Sequence, residues 1–238
     1  MHKISVINTS YNPEGKTMFL TNAFVRGFKS KIPDEETKIY HLAQWNFPAC
    51  EGCLDCWFKH PGQCVHDDDF SRYIKHINES DLVIFACPVW VGNANHLFRN
   101  FIERFICCLK PIFEKNDDMY GHKTLDDVKI KEAVMITTCA LPGMHNFEPV
   151  ISHFKSLNYL TGIKTQTWLM KPQSMEMKYL PYTEVNEQLN ALCHAAGSCF
   201  ATTGTISDDI RESISKQYIP EKEYIDAVNN DFLSRFHD

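Results

Sequence analysis

The chain has 238 residues, 44% of them hydrophobic and 23% charged, which is enough to bury a sizeable core and unlike a disordered or fibrous composition. Its formal net charge of −6, with no long basic run, argues against nucleic acid as a partner. Met1 to Ile7 lack the charged-then-apolar pattern of a leader, and no apolar run reaches membrane length, so the expectation is a cytoplasmic protein without a membrane partner.

The first predicted element is a buried strand, Ile4 to Asn8. It runs into Thr9-Ser10-Tyr11-Asn12-Pro13-Glu14-Gly15-Lys16-Thr17, a small polar loop ending where Leu20, Phe24 and Phe28 recur every four residues and predict a helix. Such a loop suits an anion. First-turn amides have no intrahelical partner, the helix dipole favours negative charge, and the Ser10 and Thr17 hydroxyls add donors.

The same residues also suit an ordinary helix cap, and Ser10-x4-Gly15-Lys16-Thr17 misses the nucleotide P-loop pattern only at its first glycine. A P-loop needs an acidic residue ending a later strand to manage magnesium, whereas the later strands run into Cys87-Pro88 and Thr138-Cys139. No cysteine is followed six positions later by arginine, the arrangement of low-molecular-weight phosphatases, so the loop reads as holding a phosphate rather than cleaving one.

A second strand is expected at Lys38 to Leu42. Cys50-x2-Cys53-x2-Cys56-x7-Cys64 follows, and four thiolates in so short a loop can converge on one metal centre. Two tandem x2 gaps suit iron-sulfur better than the paired knuckles of zinc sites, and His60 and His66 read as solvated loop residues. The remaining cysteines, Cys87, Cys107, Cys108, Cys139, Cys193 and Cys199, sit in apolar contexts and read as small buried residues. Asp67, Asp68 and Asp69 precede Tyr73, Ile74 and Ile77 at helical spacing and read as helix-start acids.

The third strand, Leu82 to Ala86, leads to Pro88-Val89-Trp90-Val91-Gly92-Asn93-Ala94-Asn95, which sets a large aromatic and a flexible backbone beside the crevice where such sheets bind ligands. Trp90 can pack on a flat ring while amides near Gly92 to Ala94 reach its polar edge. Phe98, Phe101, Ile102 and Phe105 then predict a second covering helix. Strands at Ala133 to Thr138 and Lys164 to Met170 complete five, and their alternation with helices predicts an α/β fold with a doubly wound parallel sheet. Beyond Met170 come a Pro-containing connector, Lys171 to Tyr182, and helical stretches carrying Val185, Leu189, Leu192 and Ala196, then Tyr224, Val228, Phe232 and Phe236. The expected division is a core at 1–170, with its cysteine-rich loop at 48–66, and a helical extension at 171–238 packed on the core or on a partner subunit.

Residues 1–170 resemble the NADPH-dependent FMN reductase and iron-sulfur flavoprotein family, which has the flavodoxin-like fold. Ser10 and Thr17 match its Ser-x6-Thr phosphate loop, Cys87-Pro88-Val89-Trp90-Val91-Gly92 its Ser-Pro-Val-Tyr-like segment, and Thr137-Thr138-Cys139 the loop on the flavin's pyrimidine side. The resemblance implies FMN held by Ser10, Asn12, Gly15, Lys16 and Thr17, by Pro88 to Ala94, and by Thr137 to Cys139. It implies NAD(P)H as co-substrate, a quinone, flavin or electron-carrier acceptor, a homodimer or higher homo-oligomer, and a 4Fe-4S cluster on Cys50, Cys53, Cys56 and Cys64. An electron-transfer module without its own reductase activity is the alternative. Thr9-Ser10-Tyr11-Asn12 replaces the family's Gly-Ser-Pro-Arg, so a cationic phosphate contact is missing, and Lys16 stands where it can supply the charge. Ala140 likewise stands where relatives commonly carry Gly.

Overall fold

Apolar runs buried on both faces make the three central strands of the computed structural model, which describes residues 2–116, 118–179 and 184–236, while the two edge strands are more polar. The five are β1 (Lys3–Asn8), β2 (Glu36–His41), β3 (Leu82–Ala86), β4 (Glu132–Thr138) and β5 (Lys164–Lys171). All pair in parallel in the order β2-β1-β3-β4-β5, the flavodoxin-like arrangement. β2 starts two residues before the expected strand, and Leu42 instead opens a short 3-10 turn, Leu42–Gln44, because its side chain turns into the core.

Helices α1 (Lys16–Lys31), α2 (Asp69–Asn78), α3 (His96–Arg104) and α4 (Glu148–Thr161) connect the strands. One apolar cluster lies between the sheet and α2, α3 and α4; the other lies beneath α1 and α5 (Glu184–Thr203). Leu20, Phe24 and Phe28 are buried as their spacing requires, and so are Phe98, Phe101 and Phe105, with Ile102 half-buried. α1 and α5 meet backbone to backbone: a Cβ on Gly27 would stand 1.9 Å from the His194 carbonyl oxygen, and one on Gly197 1.9 Å from that of Phe24.

Residues of α5 share the apolar cluster of α1 and the sheet, and α6 (Asp208–Ser215) and α7 (Glu221–Ser234) follow. In the last apolar stripe only Tyr224 is buried; Val228 is half-buried, and Phe232 and Phe236 are exposed. Part of the expected connector, residues 180–183, falls outside the described residues. A two-stranded hairpin at Glu114–Asn116 and Met119–Gly121 was not expected, since its polar residues carry no strand-like alternation. Cys199 is half-buried, a departure from the expected burial, because α5 turns it toward its outer side; Cys87, Cys107, Cys108, Cys139 and Cys193 are buried.

Candidate functional site

Three loops leave the carboxyl ends of β1, β3 and β4, and side chains stitch them together. The first is held by its own turn bonds: Ser10 N–H donates to Asn8 Oδ1 (2.9 Å), Asn12 N–H to Ser10 Oγ (3.2 Å) and Glu14 N–H to Asn12 Oδ1 (3.0 Å). Ser10 and Asn12 therefore shape the loop, with Ser10 half-buried and Asn12 exposed. α1 starts at a glycine cap, Gly15, that offers its first-turn amides no side-chain acceptor, and the first turn has no acid. Lys16 is half-buried with its Nζ 3.6 Å from Met175 Sδ. Burial, reinforced by the neighbouring charge of Lys178, lowers its pKa below the ordinary lysine value. A partly desolvated ammonium beside an open helix start is an arrangement that a phosphate relieves.

The second loop is a tight hairpin, Val89–Trp90 against Asn93–Ala94, turning at Val91 (φ 49°) and Gly92 (φ 77°). Gly92 adopts the left-handed region freely, whereas a β-branched residue there is strained, a feature that gathers at functional sites. Trp90 is 70% exposed rather than part of the core. Pro88, Val89 and Ala94 are half-buried, and Asn93 is exposed.

Asn95, the last residue of the expected loop though not one of the expected flavin contacts, joins this loop to the first. Its Oδ1 caps α3 by accepting from Phe98 N–H (3.1 Å), and its Nδ2 donates to the Thr9 carbonyl (2.5 Å). An asparagine just before helical periodicity was the available signal. The Tyr11 hydroxyl and His96 Nε2 form a second link at 3.1 Å.

In the third loop, Thr138 Oγ1 bonds Thr17 Oγ1, while Thr137 Oγ1 is buried without a hydrogen-bond partner. Cys139 N–H donates to the Lys171 carbonyl at 3.0 Å. Burial raises the Cys139 thiol and pushes Cys87 up to about 11, which favours the protonated thiol over the nucleophilic thiolate at both. Beside this loop, Lys171 and Glu176 form a fully buried ion pair, and Lys171 Nζ also donates to the Lys216 carbonyl (2.5 Å), tying the extension to the sheet edge.

Cys50, Cys53, Cys56 and Cys64 line one small pocket of about 20 Å³, together with Cys107 and Arg104. Burial, and then the neighbouring thiols, push Cys56 up to about 11. Trp57 anchors the loop by donating its Nε1–H to the Ile106 carbonyl (3.0 Å). Arg104 is buried, its guanidinium forked onto Asp68, yet its Nε is without a hydrogen-bond partner at this pocket. Among the described residues no three of His, Cys, Asp or Glu stand close enough to hold a single metal ion, so the thiols share a space without being drawn to one point. His60 is exposed, and His66 Nε2 lies 3.3 Å from Glu51.

The profile of the NADPH-dependent FMN reductase family matches residues 2–157. Among curated relatives, an iron-sulfur flavoprotein of Clostridioides difficile (strain 630) is 32% identical over 102 residues, covering 42% of this chain and 44% of that protein. An iron-sulfur flavoprotein of Archaeoglobus fulgidus is 28% identical over 102 residues, covering 43% and 48%. The matches thus span about half the length of these relatives or less. Among solved structures, an azoreductase from Bacillus anthracis superposes with a TM-score of 0.60 at 14% identity, covering 84% of this chain and 99% of that one. An NAD(P)H:quinone oxidoreductase from Methanothermobacter marburgensis gives 0.58 at 11% identity, covering 84% and 96%. Identities this low establish a shared fold.

Proposed function

Because the chain belongs to the NADPH-dependent FMN reductase family, we propose that it is an FMN-dependent oxidoreductase that takes hydride from NADPH or NADH and reduces a quinone, another flavin or an electron-carrier protein. The observation that carries this reading is the convergence of three stitched loops on an open α1 terminus flanked by half-buried Lys16. The phosphate sits on the first-turn amides of α1, with the Ser10 and Thr17 hydroxyls and Lys16 around it. Exposed Trp90 packs on the ring, amides near Gly92 to Ala94 serve its polar edge, and Thr137, whose buried hydroxyl lacks a partner, serves the pyrimidine side with Thr138 and Cys139. FMN, when bound, supplies the hydride chemistry at its N5. The protein's part is to bind, orient and shield, so no acid, base or nucleophile is assigned. A second copy of the chain covers the crevice in the proposed homodimer, a role the exposed Trp90 and Val91 suit.

One further observation favours the carrier reading, an electron-transfer module holding a 4Fe-4S cluster without its own NAD(P)H activity. Four cysteines share a pocket with a buried arginine whose Nε–H is unpartnered, and N–H donors are what cluster sulfurs accept.

The deciding experiment adds FMN to the anaerobically purified chain, then NADPH or NADH with menadione. Stoichiometric flavin bands near about 375 and 450 nm and menadione-dependent oxidation of NADPH or NADH support the enzyme. Bound flavin with no oxidation of either NADPH or NADH, together with iron and sulfide after reconstitution, selects the carrier. Failure to bind FMN overturns both.

A further inference from the structure

A second cavity stands apart from the crevice described above. It has a volume of about 420 Å³ and lies between the sheet and helices α3 and α4, on the face opposite α1. Its floor includes Val83, Ala133 and Thr165, each the second residue of its strand. Three residues of strand, about 10 Å, separate Val83 from the loop after β3, and none of the proposed flavin contacts lines it.

The space reaches core residues. Ile77, Phe85 and Phe101 line it and are at most 4% exposed, so the cavity cuts through the layer between helices and sheet instead of forming a shallow groove. A macromolecular face cannot reach such a floor; a small molecule can. The volume is nearly three times that of an engineered cavity of about 150 Å³ that holds benzene, and it falls in the range of small-molecule sites.

The polar atoms around it select the chemistry. Thr161 and Thr165 already donate their hydroxyl protons, to the Leu157 carbonyl (2.6 Å) and the Lys155 carbonyl (3.3 Å). His122 Nδ1 lies 2.8 Å from the Lys110 carbonyl, an acceptor only, so Nδ1 carries a proton and the tautomer this contact selects leaves Nε2 as the acceptor. Exposed Glu103 at the rim is already paired with Arg99 at 2.9 Å and adds no free charge. The cavity therefore offers apolar walls and a hydrogen-bond acceptor. We propose that it is a second small-molecule site, for a neutral aromatic compound carrying a hydroxyl or amine donor.

The test titrates the full chain, with and without FMN, with 2-naphthol, naphthalene and 2-naphthoate, followed by calorimetry. Expected is saturable one-to-one binding of 2-naphthol, about tenfold weaker binding of naphthalene, which lacks the donor, and weaker binding still of the anionic naphthoate. Leu160→Trp, at a lining position that is 36% exposed, narrows the cavity and should weaken 2-naphthol at least about tenfold with the melting temperature unchanged. Ile106→Trp, half-buried on another wall, provides the same test should Leu160→Trp fold poorly. Absence of saturable binding, competition between 2-naphthol and FMN, indifference to both variants, or equal binding of naphthoate would each overturn the proposal.

Discussion

Thr17, at the start of α1, and Thr138, at the end of β4, share a buried hydrogen bond between their hydroxyls at 2.7 Å. This contact fixes the first-turn amides of α1 relative to the third loop, so the phosphate and pyrimidine ends of the proposed site are set as one unit. Thr17→Val keeps the shape and strands the Thr138 hydroxyl. The expected cost is about 1–3 kcal/mol in urea unfolding, with FMN affinity falling about tenfold because a phosphate donor is lost as well. Thr138→Val should match the stability loss but weaken FMN less. Equal FMN affinities in the two variants would remove Thr17 from the phosphate site.

Lys16 provides a sharper separation. Its ammonium is partly desolvated beside the helix start, and burial lowers its pKa. Lys16→Met should weaken FMN by at least about tenfold, as expected for a charged hydrogen bond, and leave riboflavin, which lacks the phosphate, unchanged in fluorescence-quenching titrations. Because the charged form is lost as pH rises, FMN affinity in the wild type should fall at a pH below the ordinary lysine value of 10.5, and this fall should vanish in Lys16→Met.

The α1–α5 crossing leaves no room for a methyl group. Gly27→Ala and Gly197→Ala each drive a Cβ to 1.9 Å from a facing carbonyl oxygen, and the helices must part. Each should lower stability by about 2–3 kcal/mol, as for an overpacked core. The double variant should cost less than the sum, since both relieve strain by one helix shift. Midpoints of denaturant unfolding measure this, and additive losses would show two independent contacts.

These relationships differ in how far the sequence announced them. The central strands were legible because Leu82 to Ala86 is wholly apolar and Ala133 to Thr138 opens on Ala-Val-Met-Ile, as strands buried on both faces require. The three loops were legible because each follows such a strand. What joins them was not: the Thr17–Thr138 bond spans 121 positions, and a lone glycine in a helical pattern, such as Gly197, does not say which backbone it will meet. The cavity beneath α3 was equally invisible, since its lining residues read as ordinary core until the helices are placed.

Asp68 was read as a helix-start acid, and it caps α2 by accepting from Ser71 N–H at 3.0 Å. It also carries a larger task, pairing at 2.8 and 3.1 Å with Arg104, whose side chain is fully buried. Burial opposes ionisation of Asp68, but the Arg104 and Ser71 hydrogen bonds prevail and hold its carboxyl below the ordinary value of 3.8. A depressed carboxylate contributes stability that is present above its unfolded pKa and lost as pH falls through the folded one. Wild-type stability should therefore decline as pH drops from about 5 to below 4, near the unfolded carboxylate pKa. Asp68→Asn keeps the cap but leaves the guanidinium without its counter-charge, an expected loss of about 3–5 kcal/mol at neutral pH. Its acid slope should be shallower than wild type by the share of this one group. Parallel slopes in thermal melts across that range would show that Asp68 is protonated alike in both states. The cysteine pocket supplies a second readout: because Arg104 lines it beside Cys64, Asp68→Asn should speed modification of the pocket thiols by a thiol-reactive dye, even where overall unfolding is negligible.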